Sequence, residues 1–336
     1  MNPVNINCSA SRHTNRLAEP IVAVNGTLGA GISPFDRGFN YGDGLFETVS
    51  LRVSSSACID QPETFLPLWG LHRQRLLLDA KRLQIDLSSD RLDAAVAQIL
   101  QQAQVQDVCR GLLKIIVTRG VGGRGYAAPS DLLATLCIGL YPPVKDSPKN
   151  VLEGIFLQLC RQRLSRSPAL AGIKHLNKLE HILARTELSV LDSDRKINEE
   201  ASRICAEGLL LDEQGFVIEA TFSNLFIVQD GVLLTPRLDQ CGVAGVMRQL
   251  VLEVLAPKLN LEVIVEVMSL EQLLKADEVF LCNSVYGFWP VRHLYNPAVG
   301  IEGAARAAQV RWPIGEKVVS LQQQLAHYLS SSKCER

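Results

Sequence analysis

The chain has 336 residues, with 34 lysines and arginines against 35 aspartates and glutamates, a formal net charge of −1. That balance excludes a protein whose main business is coating nucleic acid or an anionic membrane. Hydrophobic residues at 47% and charged residues at 21% are globular proportions and exclude a mostly disordered chain.

The first 20 residues are polar, carry Arg12 and Arg16 and lack an apolar segment, so they read as an N-terminal arm rather than a secretory signal. Ile21 to Val24 is strand-like and runs into Asn25-Gly26, a hairpin signal. A glycine-dense loop over 35–44 precedes a second β-branched run, Leu45 to Val53. Leu66 to Ile85 has apolar residues at helical spacing, and Asp90 opens another helix through Gln102. Strands follow at Gly111 to Thr118 and Leu132 to Leu140, joined by the glycine-rich segment from Arg119 to Tyr126.

Three prolines with charges and no periodicity mark residues 142–150 as an interdomain linker. The expected organisation is thus an arm (1–20), a smaller α+β domain (21–141), the linker (142–150) and a larger domain (151–336). In the larger domain strands are expected at 153–159, 207–212, 216–219, 223–229, 261–267 and 278–282. Helices are expected from His175 to Leu191, from Gly245 to Leu259 and near 315–330. Strands and helices mix without strict βαβ alternation, which points to α+β with two sheets rather than a doubly wound fold.

The nine cysteines, at 8, 58, 109, 137, 160, 205, 241, 282 and 334, are odd in number and show no metal-knuckle spacing. Several sit in apolar runs, so free thiols in a cytoplasmic protein are expected, and no metal site. No apolar run reaches the roughly 18 residues of a membrane span.

Walker, Rossmann, zinc-protease and nucleophile-elbow patterns are absent. Gly120, Gly122 and Gly125 have dinucleotide-fingerprint spacing but join two strands, without the helix N-terminus that would take a pyrophosphate. Lys174, flanked by Ile173 and Leu176 at the mouth of an expected helix, is a candidate for desolvation and attack on a carbonyl, although most such lysines snorkel to solvent. Glu219 closes an apolar strand, where a carboxylate needs a cationic or hydrogen-bonding partner.

Lys174-x-x-Asn177 followed by Glu219-x-x-x-Ser223-Asn224-Leu225-Phe226 resembles the active-site motifs of the class IV aminotransferases, the fold type IV enzymes that use pyridoxal 5'-phosphate. The resemblance runs from about residue 21 to 291. It implies that Lys174 holds the cofactor covalently and that Glu219 pairs with the pyridine nitrogen. It further implies phosphate contacts from Arg75, in His72-x-x-Arg75-Leu76, and from the backbone of Val246 and Met247 in Gly245-Val246-Met247-Arg248. Met247 stands where the family usually has a hydroxyl residue, and Ser284 stands where it often has a phosphate-binding threonine, although Asn283 and Ser284 equally suit a strand-end turn.

Within the family, the segments 118–126, 171–177 and 235–243 resemble the 4-amino-4-deoxychorismate lyase branch, which makes 4-aminobenzoate for folate biosynthesis. Branched-chain and D-amino-acid aminotransferases, or a PLP-binding protein without catalysis, are the alternatives. A substrate with two carboxylates calls for a guanidinium, with Arg124 first and Arg119 second, against the plain reading of a hairpin loop with solvated arginines. The resemblance also implies a homodimer with each site closed partly by a loop of the other subunit. The arm, an insertion-like loop at 54–61 and the tail beyond Val291 match poorly.

Overall fold

The computed structural model describes residues 17, 19–53, 64–144, 148–195, 205–296 and 309–331. The arm through residue 16 and the 54–61 loop lie outside the described residues. In the first half, β1 (Ile21–Val24) and β2 (Thr27–Leu28) form the expected hairpin. Asn25 and Gly26 both have positive φ, 50° and 80°, as a two-residue type I′ turn demands.

Part of the segment read as a glycine-dense loop is a short helix, α1 (Arg37–Tyr41). Asp36 caps its start by accepting the Gly38 N–H at 2.8 Å. Gly42 ends it with φ 66°, and a Cβ there would sit 2.4 Å from the Asn177 side chain. Five residues are too few to show helical periodicity, which is why the sequence hides this helix.

Next come β3 (Gly44–Val53), β4 (Thr64–Phe65), α2 (Trp69–Arg82), α3 (Ser89–Val105), β5 (Gly111–Thr118) and β6 (Thr135–Tyr141). They build a six-stranded sheet of order β2-β1-β6-β5-β3-β4. Along β3 the period of two sends Leu45, Val49 and Leu51 into the core and leaves Phe46 and Thr48 on the opposite face.

The second half holds α4 (Pro148–Leu152), β7 (Ile155–Leu164), α5 (Leu179–Arg195), β8 (Glu207–Asp212), β9 (Phe216–Ala220), β10 (Asn224–Gln229) and β11 (Val232–Pro236). After these come α6 (Val246–Leu250), a π turn over Val251–Leu255, α7 (Ala256–Lys258), β12 (Val263–Glu266), β13 (Met268–Ser269) and α8 (Leu270–Leu274). The chain closes with β14 (Glu278–Asn283), β15 (Gly287–Tyr295), β16 (Gln309–Arg311) and α9 (Glu316–Ser331). The ten strands form one sheet with mixed parallel and antiparallel pairing, in the order β12-β11-β10-β14-β15-β7-β8-β9-β13 with β16 beside β15. Two mixed-topology halves make the fold α+β, as expected.

Three local expectations give way. The linker ends in a one-turn helix, α4, whose first residue is Pro148, a position that suits proline. β15 is masked in the sequence by Pro290, which lies inside it paired with Phe280. The helix expected from His175 begins at Leu179. Before it, residues 174–176 pair with β3 instead: Phe46 N–H donates to Lys174 O at 3.1 Å and Leu176 N–H to Gly44 O at 2.9 Å. Asn177 adds a bond from Nδ2 to Gly42 O at 3.0 Å. This stitch ties the second half of the chain to the first sheet. Among the described residues no helix is long and apolar enough to cross a membrane, and no group of three His, Cys, Asp or Glu side chains could hold a metal ion.

Candidate active site

A cavity of about 370 Å³ lies between the two halves. Lys174, Arg75, Glu219, Val246, Met247 and Ser284 all line it. Sequence positions from 75 to 284 therefore converge on one space.

Lys174 is half-buried beside Ile173, which is fully buried. Its Nζ stands 4.2 Å from the centroid of the Phe46 ring. Asp79 on α2 accepts its backbone N–H at 3.1 Å, so both peptide groups around Lys174 are held from the first half of the chain. Desolvation, aided by the positive charge of Arg75, pushes the amine down to about 8 from its ordinary 10.5. Lys178 also lines the cavity, and burial lowers its pKa too, against the pull of Glu219.

Glu219 is 3% exposed at the end of β9. Burial favours its neutral form. A hydrogen bond with His181 Nε2 at 2.9 Å and the charge of Lys178 outweigh that and hold the carboxyl below its usual range. Val243 N–H donates at 2.9 Å and Asn224 Nδ2 at 3.3 Å to the other oxygen. His181 carried no signal in the sequence, since it lies one helical turn beyond Lys178 on an ordinary amphipathic helix. Asn224 sits inside the quoted motif, and its Oδ1 accepts Gly245 N–H at 3.0 Å, tying the carboxylate to the start of α6.

Arg75 is fixed as a fork. Its Nε and Nη2 donate to the two oxygens of Glu47, both at 2.6 Å, and Nη1 donates to Ala244 O at 2.9 Å. His72, one turn earlier on α2, bonds Glu47 at 2.7 Å. Burial would raise the Glu47 pKa, but the Arg75 charge and these hydrogen bonds hold it down to about 2 from 4.5. A depressed carboxyl pKa stabilises the fold above pH 4.5 and loses that contribution as pH falls toward 2. Wild type is therefore expected to lose about 3 kcal/mol more than Glu47→Gln across that window, measured by urea midpoints at stepped pH.

Val246 and Met247 open α6, and the Met247 thioether packs into a core with Leu250 and Phe280, so its backbone is what the cavity receives. Arg248 turns away, its Nη2 donating to Pro236 O at 3.1 Å. Asn283 makes the strand-end turn, its Oδ1 accepting Val285 and Tyr286 N–H at 3.0 and 2.8 Å, while Ser284 faces the cavity.

The two arginines read as carboxylate clamps do not line the cavity of this chain. Arg119 is committed to Asp43, with bonds of 2.8 and 3.0 Å, and to the carbonyls of Leu83 and Gln84 at the end of α2. Arg124 is exposed on the loop between β5 and β6. That loop is pinned instead by Arg37, whose guanidinium donates to Gly125 O and Tyr126 O at 3.0 and 2.9 Å.

The family model for class IV aminotransferases matches residues 44–294. The chain is 33% identical over 302 residues to an aminodeoxychorismate lyase of Vibrio harveyi, covering 89% of this chain and 97% of that protein. It is 30% identical over 280 residues to a putative branched-chain-amino-acid aminotransferase of Methanocaldococcus jannaschii, covering 81% and 87%. The crystal structure of 4-amino-4-deoxychorismate lyase from Pseudomonas aeruginosa superposes with a TM-score of 0.75 at 38% identity, covering 92% of this chain and all of that one. With the matched segment carrying strands of both sheets and every residue that lines the cavity, the chain belongs to the class IV aminotransferase family and has its fold type IV architecture.

Proposed function

We propose that this chain is a pyridoxal 5'-phosphate-dependent lyase converting 4-amino-4-deoxychorismate to 4-aminobenzoate and pyruvate. The observation that carries the reading is the meeting of Lys174, Glu219 and Arg75 on one cavity. Two relatives named as this lyase, at 38% and 33% identity, support the branch. The donor set suits the cofactor: an amine with a pKa of about 8, a carboxylate kept ionised, and an anion-seeking end made of Arg75, the Val246 and Met247 amides and the Ser284 hydroxyl. Gly245 leaves Asn224 room to hold the start of α6, since a Cβ there would lie 2.1 Å from Asn224 Oδ1.

Bound there, the cofactor supplies an electron sink beside the carbon that carries the substrate's amine. Lys174 would hold the cofactor covalently, and its amine, when free, would take the proton from the substrate's C4. Its lowered pKa leaves a useful neutral fraction near neutral pH. Glu219, held anionic by His181 and Val243, would keep the cofactor's pyridine nitrogen protonated. Loss of the C4 proton and cleavage of the C3–O bond release enolpyruvate, which takes up a proton to become pyruvate. The ring becomes aromatic, so atoms and electrons balance without an oxidant.

The test follows both products together. Release of pyruvate and 4-aminobenzoate in equal amounts without an added keto acid is expected. Turnover that requires an amino acceptor would move the chain to the aminotransferase reading, which the 30% identical putative branched-chain enzyme favours.

The active form in this reading is a homodimer in a reducing compartment. Phe35, Phe39, Tyr126 and Leu133 are 69–88% exposed around the α1 and β5–β6 loop surface that carries Arg124, a large apolar area for a monomer to leave in water. A second copy would cover it and bring Arg124 to a neighbouring site. Light scattering at micromolar concentration is expected to give twice the chain mass; a monomer would refute this arrangement.

A further inference from the structure

Phenylalanine and tyrosine rings reach the active-site cavity from Phe46, Phe222 and Tyr286. Phe46 is engaged by Lys174, whose Nζ stands over its ring. The chemistry above leaves the other two unused. Phe222 lies in the turn between β9 and β10 and is 42% exposed, an unusual place for a large apolar ring unless something covers it. Tyr286 lies in the turn between β14 and β15. The two ring centroids are 6.0 Å apart at an interplanar angle of 48°, so together they make one continuous aromatic surface.

Both rings are held from elsewhere in the fold. Trp289, buried on β15, packs against Tyr286 at 4.5 Å and meets Phe222 edge-on at 6.1 Å and 81°. The Arg185 guanidinium from α5 stands 5.6 Å from the Phe222 centroid, and its Nη1 donates to Ala206 O at 2.7 Å. Asn283 joins the two turns. Its Nδ2 donates to the hydroxyl of Ser223, the neighbour of Phe222, at 2.9 Å, and its Oδ1 accepts the Val285 and Tyr286 N–H groups. Leu112, Val144 and Val285, which line a small side cavity together with Tyr286, extend the surface with aliphatic carbon. Rings fixed in this way lose little freedom when a ligand settles on them.

We infer that Phe222 and Tyr286 form a stacking wall that selects ligands carrying a flat, unsaturated six-membered ring over those with a saturated ring or an aliphatic chain. The inference deepens the proposed function by naming the feature of the ligand that is read, and it rests on that reading only in placing the ligand in this cavity. An aromatic face attracts a second π system in tilted or offset contact beyond what burial alone gives. A puckered, saturated ring presents hydrogens on every side and gains from burial only. Burial alone would favour the saturated ring, which has more apolar surface, so the two effects predict opposite orders.

The experiment uses the full chain loaded with pyridoxal phosphate and compares benzoate with cyclohexanecarboxylate by calorimetry. The two probes have the same charge, so whatever their carboxylates touch cancels in the comparison and only the ring differs. Benzoate is expected to bind about tenfold more tightly. Phe222→Leu and Tyr286→Leu should each bring the ratio below about threefold, mainly by weakening benzoate. Phe222→Tyr and Tyr286→Phe keep the rings and should keep the preference. The absorbance of the bound cofactor should be the same in all four variants, because neither ring belongs to the groups assigned to hold it.

Equal binding of the two acids, tighter binding of cyclohexanecarboxylate, no binding of benzoate, or a preference that survives both leucine variants would overturn the inference. A ring preference in a chain that makes no 4-aminobenzoate would sustain it while ending the lyase reading, and lyase activity without the preference would do the reverse.

Discussion

Lys174→Ala is expected to lower turnover by at least about a thousandfold, the scale of removing both a covalent anchor and an acid–base group, while the variant stays folded by circular dichroism. The competing lysine makes this a real choice. Lys178 lines the same cavity and is also desolvated. Lys174 differs in being held on both sides, through Phe46 N–H on its carbonyl and Asp79 on its amide, with its ammonium over the Phe46 ring. A nucleophile benefits from such fixing, because orientation is part of the barrier. Lys178→Ala is accordingly expected to cost no more than about tenfold, or about 1.4 kcal/mol. Borohydride treatment followed by peptide mapping discriminates further: the reduced cofactor should be found on residue 174. Equal losses in the two variants, or labelling at 178, would overturn the assignment.

The sequence makes these two lysines look more different than they are. It suggests Lys174 at a helix mouth and Lys178 on the helix, whereas α5 starts at Leu179 and both lie in the connection that precedes it. A strand such as β5, with its alternating burial, is legible because it depends on its own residues, and it has the expected bounds of Gly111 and Thr118. The stitch of residues 174–176 onto β3 is not, since its partners are more than 100 residues away and pairing across the two halves leaves no local pattern. Pairing at a distance along the chain likewise hides His181 behind Glu219, 38 residues away, and Asp79 behind Lys174, 95 away. Arg119 shows the converse: a guanidinium in a glycine-rich loop reads as a ligand clamp, whereas in the structure its donors go to Asp43 and to the Leu83 and Gln84 carbonyls that follow α2. Charge type is visible in a sequence, and partner identity is a property of the fold.

Glu219→Gln is expected to slow the chemical step by at least about a hundredfold, a cost typical of removing one preorganised electrostatic group from a water-poor site. Three donors converge on the carboxylate, from His181, Val243 and Asn224, and two of them are 2.9 Å away. They hold a negative charge that burial alone would extinguish. A glutamine offers these donors one acceptor oxygen and turns its own N–H₂ toward one side of them, so the variant loses the charge and strains the cradle. Without the anion, a protonated pyridine nitrogen has nothing to stabilise it, and the acidity at the substrate's C4 falls with it. Binding should largely survive, because Arg75, Val246 and Met247 would meet the cofactor at its other end and Glu47 fixes Arg75 independently. The expected pattern is therefore a large drop in kcat, a small change in cofactor affinity, and a primary isotope effect that grows when C4 carries deuterium. A Glu219→Gln variant that keeps kcat within threefold, or one that fails only by losing the cofactor, would show that Glu219 shapes the cavity rather than its chemistry.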